Sequence, residues 1–191
     1  MNDLELDPHT ALVVIDLQKG VVRRELAHPV ATIISNTVRL LDAFRSARLP
    51  VVLVNVAFAA DRADFLAPRA DVGTIAELPA DFSELIPELN AQSSDLLITK
   101  HQWGAFYGTE LDLQLRRRQV TGIVLGGIST SIGVESTARA AYELGYQIAF
   151  ASDAITDSKE VSHNHSFEHI LPRIGQVRTT DTIVRALASR S

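Results

Sequence analysis

Ala11-Leu12-Val13-Val14-Ile15 is the stretch that decides the fold, and Asp16 follows it directly. A run that is apolar at every position, rather than at alternate ones, is typical of a parallel strand covered on both faces. Similar runs return at 51–56, 96–99, 122–126 and 147–152, and a short edge strand is predicted at 176–179. Stretches with helical spacing lie between these runs. The alternation predicts an α/β fold with three αβα layers, a Rossmann-like six-stranded parallel sheet with helices on both faces.

Helix ends are predicted from capping residues and from breaks in the pattern. Thr109 and Thr180 are the expected N-caps of two helices, because threonine satisfies the free N–H groups of a first turn. Further helices are predicted from 133 to 144 and over roughly 159–171. Between 57 and 94 prolines interrupt the pattern. We expect this segment to be a long excursion over the carboxyl edge of the sheet, carrying short helices.

Length and composition limit the classes of protein that fit. The chain has 191 residues, a net charge of −5 at pH 7 and 46% apolar residues, which predicts one globular domain over residues 1–191. The mild negative charge argues against nucleic acid and anionic membranes as partners. No signal peptide and no membrane-spanning run is visible, so we predict a cytoplasmic protein. Cysteine is absent, which excludes disulfides, thiolate metal sites and a cysteine nucleophile.

Chemically distinctive residues follow three of the predicted strands. Asp16 ends the first strand, Lys100 ends the third, and the fourth runs into a glycine- and hydroxyl-rich stretch over 126–133. In parallel α/β sheets, ligands bind beyond the carboxyl ends of the strands. A charge placed directly after an apolar strand is partly buried and needs a partner. We therefore predict that Asp16 pairs with Lys100. For either residue alone, a structural ion pair or a simple turn cap is the alternative.

Three motifs in order resemble those of the isochorismatase-like hydrolases, part of the cysteine hydrolase superfamily. They are Val-Ile-Asp-Leu-Gln around Asp16, Thr-Lys-X-X-X-X-Ala-Phe-X-Gly-Thr around Lys100, and Gly-Ile-Ser-Thr-Ser-Ile-Gly-Val-Glu-Ser-Thr-Ala-Arg over 127–139. The resemblance extends from about residue 10 to residue 184. It implies a six-stranded parallel sheet, an acid/base role for Asp16 with Lys100 beside it, and a cis peptide bond at Ile128–Ser129.

Gly133 is where the sequence departs from the family's typical triad of Asp, Lys and Cys, because the cysteine position falls on it. Glycine cannot attack a carbonyl, so a covalent acyl-enzyme is disfavoured. The isochorismatases proper also carry glycine there, and they hydrolyse a vinyl ether, which needs a protonating acid and water. Asp16 can serve if burial raises its pKa. The resemblance thus implies a cofactor-free hydrolase of a small anionic molecule. The alternative is a catalytically silent ligand-binding or regulatory protein on the same scaffold.

The resemblance also indicates which residues surround the substrate. The backbone from Ile128 through Ser129 to Ile132 and Gly133 is the expected anion-binding element, because the N–H groups of a helix start there. Trp103, the only tryptophan, is the expected contact for an apolar or planar ligand.

Neither a metal nor another cofactor is predicted. His165-Ser-Phe-Glu-His169 matches the H-x-x-E-H pattern, but zinc needs at least three protein ligands, and a solvated helix face is the favoured interpretation. The glycines do not have the spacing of a dinucleotide site. We also expect a homo-oligomer, a dimer or a tetramer, because family members commonly associate and the 57–94 excursion carries apolar side chains suited to a partner surface, namely Phe58, Phe65, Leu66 and Phe82.

Overall fold

A computed structural model describes residues 4–66, 69–71 and 77–189, which form a six-stranded sheet. The strands are β1 Thr10–Ile15, β2 Val51–Val56, β3 Leu96–Lys100, β4 Gly122–Ile128, β5 Gln147–Thr156 and β6 Gln176–Arg178. All pairings are parallel, and the strand order is β3-β2-β1-β4-β5-β6. The predicted α/β fold with a six-stranded parallel sheet is confirmed.

Helices connect the strands and cover both faces of the sheet. They are α1 Lys19–Val22, α2 Val30–Ser46, α3 Leu111–Arg117, α4 Glu135–Glu143, α5 Glu160–His165, α6 Leu171–Ile174 and α7 Thr180–Ala188. A 3₁₀ turn occupies Pro87–Leu89. Two π-helical turns interrupt the regular pattern, Thr130–Val134 directly before α4 and Ser166–Ile170 between α5 and α6.

Strand β1 shows why the decisive run is apolar throughout. Leu12 and Val14 belong to one hydrophobic core, which the sheet shares with α2 and α7. Val13 and Ile15 point the other way into a second core, which the sheet shares with α3 and α4. Every residue of β1 is buried, because successive side chains alternate between two covered faces.

Several predicted element ends are wrong. The N-cap of α7 is Thr179, not Thr180, and the Thr179 hydroxyl accepts a hydrogen bond from the Thr182 N–H. Helix α3 begins at Leu111, and Thr109 stands outside it, although its hydroxyl accepts from the Leu111 N–H at 3.1 Å. Strand β5 continues to Thr156, four residues beyond the predicted end, after an irregularity in its pairing with β4.

The two central predicted helices are also less regular than expected. The helical turn expected to start at Gly133 starts at Thr130 and is π-helical, so Gly133 lies inside the turn. The helix expected over 159–171 divides into α5, a π-helical turn and α6. A π-helical turn contains one residue more than an α-helical turn. No residue type is specific to it, so the sequence pattern did not predict it.

The 57–94 excursion is held close to the sheet in its described part. Phe82, expected on the surface, is only 7% exposed and belongs to the core beneath α2. Phe58 and Phe65 are half-buried, with ring centroids 4.8 Å apart, whereas Leu66 is 66% exposed. Residues 67–68 and 72–76 of the excursion lie outside the described part. Among the described residues, no helix has the length and apolar character needed to cross a membrane.

Candidate active site

The sheet has a topological switch point between β1 and β4. Strands β2 and β3 lie on one side of β1, and β4, β5 and β6 lie on the other. The connections at the carboxyl ends of β1 and β4 therefore lead away in opposite directions, which leaves a crevice between them. Asp16 follows β1 and Ser129 follows β4, so both stand at this crevice.

Asp16 and Lys100 form a buried ion pair at this edge. Lys100 ends β3, and its long side chain passes the end of β2 to place Nζ 2.7 Å from Asp16 Oδ2. The two residues are 6% and 2% exposed. Lys100 Nζ also donates to the Gln102 carbonyl at 3.1 Å. The pairing predicted from the strand ends is present in the structure.

The Asp16 carboxyl is protonated more readily than an ordinary aspartate. Burial raises its pKa from the ordinary value near 3.8 to about 6, because desolvation penalises the charged form more than Lys100 stabilises it. Among the buried side-chain polar atoms of the described residues, Asp16 Oδ1 is without a hydrogen-bond partner. The residue has a left-handed backbone conformation with φ of 52°, which aspartate tolerates better than most residues. One carboxyl oxygen is thus held by Lys100 and the other is free.

The stretch after β4 packs tightly against β1. Gly127 has φ of +117°, and a Cβ there would lie 2.0 Å from the Ile15 carbonyl oxygen, so the close approach requires glycine. The Ile128–Ser129 peptide bond is cis, as the resemblance implied. Gly133 in the following turn faces Asp16, since a Cβ at this position would lie 3.3 Å from Asp16 Oδ2 and 2.9 Å from Ile15 Cγ2. Asp16, Lys100 and Gly133 therefore meet at one point.

The expected substrate-binding residues are less uniform. Trp103 is 65% exposed and Ile132 is 36% exposed, so both side chains are accessible. Ile128 is 1% exposed and its side chain belongs to the core, so only its backbone is left for the expected anion-binding element. Ser129 is half-buried, and its carbonyl accepts from the Ile132 and Val134 N–H groups.

The expected anion-binding element is partly satisfied within the protein. The Ile132 N–H donates to the Ser129 carbonyl at 3.2 Å, and the Val134 N–H donates to the same carbonyl at 3.1 Å. The Ser131 N–H donates to Asp157 Oδ2 at 2.7 Å. Three N–H groups of this turn consequently have protein acceptors, which limits what the turn alone offers to an anion.

Sequence reasoning missed the residues that hold this turn. Asp157 follows β5 and is 1% exposed, and its Oδ2 also accepts from the Ser131 hydroxyl at 2.8 Å. Thr130 Oγ1 lies 2.8 Å from His163 Nδ1 of α5. Burial lowers the pKa of His163, and the nearby His28 acts in the same direction. An acidic residue after an apolar run, as at Asp16, is a signal that could have found Asp157, whereas nothing local distinguishes His163.

The H-x-x-E-H helix face shows no complete metal site. His165 and His169 have ring centroids 5.1 Å apart; His165 ends α5, and His169 lies within the π-helical turn that follows. In the described ranges no three His, Cys, Asp or Glu side chains are grouped to hold a metal ion. Two surface depressions of about 460 and 410 Å³ run along α5, and neither is lined by Asp16, Lys100 or Gly133.

Comparisons with known proteins agree with this geometry. The family model described as "Isochorismatase domain" matches residues 10–182. An uncharacterized isochorismatase family protein of Bacillus subtilis, YwoC, is 48% identical over 185 residues, which cover 95% of this chain and 96% of that protein. The solved structure of an isochorismatase family protein from Burkholderia thailandensis is 42% identical, with a TM-score of 0.92 over 96% of this chain and 97% of that one.

A more distant structure links the fold to hydrolases. The crystal structure of a cysteine hydrolase from Pseudomonas syringae is 25% identical, with a TM-score of 0.82 over 97% of this chain and 96% of that one. The present protein has the same fold but contains no cysteine. By the match over residues 10–182 and by its relatives, this chain belongs to the isochorismatase family and has that family's hydrolase fold.

Proposed function

We propose that the protein is a cofactor-free hydrolase that acts on a small anionic molecule, with Asp16 as general acid and base and no covalent acyl-enzyme. The observation that carries this proposal is the Asp16 carboxyl, which is buried, has a pKa raised to about 6 and keeps one oxygen without a partner. A carboxyl that titrates near neutrality can hold a proton before the reaction and take one back afterwards. Lys100 orients it through Oδ2.

The reaction that fits these groups is hydrolysis of a vinyl ether. Protonated Asp16 donates its proton to the terminal carbon of the double bond, and the electron pair of that double bond forms the new C–H bond. Water adds to the resulting oxocarbenium carbon, and the Asp16 carboxylate accepts a proton from that water. The hemiketal then collapses to an alcohol and a ketone. No nucleophilic side chain is required at any step.

Two hydroxyl groups near Gly133, those of Ser131 and Thr130, are already engaged by other side chains. Ser131 Oγ donates to Asp157 Oδ2 at 2.8 Å, and Thr130 Oγ1 is hydrogen-bonded to His163. Thr130 is fully buried. Neither hydroxyl has Asp16 as the base that a nucleophile would need. This supports acid/base chemistry over acyl transfer.

The test is a panel of vinyl ethers, amides and carbamoyl compounds, assayed for turnover and by thermal shift. We expect turnover of a vinyl ether, and we expect Asp16→Asn to lower kcat/KM by about 10²–10⁴-fold, the usual weight of a general acid. Asp42→Asn, at an exposed site on α2, is the matched control and should leave the rate unchanged. Full activity in Asp16→Asn would show the mechanism to be wrong.

The second candidate is a ligand-binding or regulatory protein on the same scaffold. What motivates it is the absence of the family's cysteine at Gly133, where a Cβ would lie 2.9 Å from Ile15 Cγ2 and would require that side chain to shift. Thermal stabilisation by a panel compound, with no turnover of any, would favour this candidate over the hydrolase.

We further propose that the protein acts as a homo-oligomer, a dimer or a tetramer. The support is the exposure of large apolar side chains next to the site, with Trp103 65% and Tyr107 85% exposed. Sedimentation at micromolar concentration tests it. A monomer-sized species alone would reject the proposal.

A further inference from the structure

The segment after β1 carries three cations, and they have different partners. Lys19 Nζ lies 2.5 Å from Glu84 Oε2 and 3.7 Å from Asp81 Oδ2. Arg23 makes a bidentate pair with Asp81, with nitrogen to oxygen distances of 2.8 and 2.7 Å. The carboxylates of the excursion therefore already neutralise the first two cations.

Arg24, the third cation, has no such partner. Within residues 4–66, 69–71 and 77–189, no carboxylate forms an ion pair with it. Its guanidinium carbon lies 6.0 Å from the centroid of the Phe82 ring, and the residue is exposed. A guanidinium that lies against an aromatic ring keeps its hydrogen-bond donors available to a ligand.

The ring that supports Arg24 is firmly fixed. Phe82 approaches Gly20 so closely that a Cβ at Gly20 would lie 2.1 Å from its Cδ2. The Phe82 carbonyl accepts from the Gly20 N–H at 3.1 Å and from Gln18 Nε2 at 2.8 Å. Gln18 is fully buried two residues after Asp16. The position of the Phe82 ring, and with it that of Arg24, is thus tied to the chain that carries Asp16.

Arg24 also lies within electrostatic reach of Asp16. Its positive charge acts on Asp16, where it is a smaller influence than burial and Lys100 and opposes the rise in the Asp16 pKa. Lys100 is less suited to a substrate charge, because it is 2% exposed and its ammonium already donates to Asp16 and to the Gln102 carbonyl. Arg24 is accordingly the cation near Asp16 that is both exposed and without an ion-pair partner among the described residues.

We propose that Arg24 is a specificity-determining residue, which binds the carboxylate of a small organic acid and places the rest of that molecule over Asp16. The planar guanidinium matches a carboxylate in a bidentate arrangement. A phosphate dianion fits less well, because one unpaired guanidinium would leave net negative charge beside a carboxyl. This inference rests on the proposed function only in taking the Asp16 crevice as the substrate site. Pairing Arg24 with a carboxylate would also weaken its opposition to protonated Asp16, which favours the acid form.

The test measures binding without turnover. The probes are acetate, benzoate and phenoxyacetate, each compared with its primary amide by NMR titration at pH 7. We expect the wild-type protein to bind the acids at least about tenfold more tightly than the amides, the weight of one charge-assisted hydrogen bond. Arg24→Gln should remove this preference, and Arg24→Lys should keep part of it. Arg23→Gln, the neighbouring guanidinium already paired with Asp81, is the matched control and should keep all of it.

A second readout does not depend on any probe. In Arg24→Gln the Asp16 pKa, followed by carboxyl carbon NMR, should rise above the wild-type value, and in Arg23→Gln it should not. The proposal is overturned if the wild-type protein shows no preference for acids, or if Arg24→Gln keeps that preference. Suppose that the wild-type protein prefers acids and that Asp16→Asn keeps full activity. The catalytic role of Asp16 is then rejected, and the carboxylate-binding role of Arg24 is still supported.

Discussion

Asp16 and Asp157 follow buried strands at the same edge of the sheet, but their hydrogen bonding differs. Asp16 is 6% exposed, bonds to Lys100 through Oδ2 and leaves Oδ1 without a partner. Asp157 is 1% exposed, and both of its oxygens accept hydrogen bonds. Its Oδ2 accepts from the Ser131 N–H and hydroxyl, and its Oδ1 accepts from the Ser158 N–H at 2.7 Å.

Burial alone does not decide whether a carboxyl acts as a structural hydrogen-bond acceptor or as a candidate proton donor. A buried carboxylate that accepts several N–H and O–H donors joins the segments that supply them. Asp157 in this way connects the π-helical turn Thr130–Val134 to the residues that lead into α5. A buried carboxyl with one free oxygen can instead hold and release a proton. The structure thus separates a positioning carboxylate from a candidate acid.

The largest expected effect concerns the stability role of Asp157. We expect Asp157→Ala to lower the free energy of unfolding by about 3–5 kcal/mol, because it removes a buried side chain and leaves the N–H and hydroxyl of half-buried Ser131, and the Ser158 N–H, without this acceptor. Urea unfolding followed by circular dichroism measures it. Asp157→Asn should lose less, since one amide oxygen still accepts. Asp42→Ala at an exposed position is the control and should change stability little. A loss below about 1 kcal/mol for Asp157→Ala would contradict the assignment.

The strands were predictable because their signal is local. Each is an apolar run whose alternate side chains enter two cores, as Leu12 and Val13 do in β1. Strand β5 was cut short in the prediction because Asp153 interrupts its apolar run. In the structure Asp153 Oδ1 accepts from the N–H and the hydroxyl of Thr180 at the start of α7. A distant segment satisfies this charge, and no local pattern contains that information.

In the candidate site, too, some features could be predicted from the sequence and others could not. Asp16 and Lys100 could be placed together from the sequence, because carboxyl ends of parallel strands share one edge. The raised pKa of Asp16 could not be predicted in this way, since it depends on burial and on the unpartnered Oδ1. The π-helical turn could not be predicted either, because its additional residue has no sequence signal. Arg24 could not be identified from the sequence, since only the structure shows that Lys19 pairs with Glu84 and Arg23 with Asp81 while Arg24 forms no ion pair among the described residues.

The next largest effect is the pH dependence that Asp16 adds to stability. Its pKa in the folded protein is about 6, against an ordinary value of 3.8 for aspartate in an unfolded chain, so the folded state holds the proton more tightly. The stabilisation from this proton is fully present below the unfolded pKa and is lost as pH rises through about 6. Over this window we expect the wild-type free energy of unfolding to fall, relative to that of Asp16→Asn, by about 3 kcal/mol.

Urea titrations of both proteins between pH 4 and 7 provide the measurement. The other titratable groups are common to the two proteins, so their difference isolates Asp16. A difference that stays constant, or one that grows in favour of the wild type with rising pH, would mean that the carboxyl is ionised at acidic pH. Asp16 would then not be the proton-exchanging group that its burial and its unpartnered Oδ1 indicate, and the contrast with Asp157 would fail.

The smallest effect concerns the space beside Asp16. A Cβ at Gly133 would lie 2.9 Å from Ile15 Cγ2 and 3.3 Å from Asp16 Oδ2, and Ile15 is held in the core of β1. Gly133→Ala and Gly133→Cys should therefore lower the free energy of unfolding by about 1–3 kcal/mol, as overpacking does. Gly104→Ala is the matched control, because a Cβ there meets nothing closer than 3.6 Å. Thermal unfolding of the three variants measures the difference.

Gly133→Cys also tests whether this position belongs to the site. A thiol placed beside Lys100 has a lowered pKa and reacts faster with iodoacetamide than free cysteine does at pH 7. Lys100→Ala in the same background should slow that reaction, because the cation that favours the thiolate is removed. If Gly133→Cys is as stable as Gly104→Ala and its thiol does not react, then position 133 does not lie beside Asp16 and Lys100. The position that corresponds to the family's cysteine would then lie outside the candidate site.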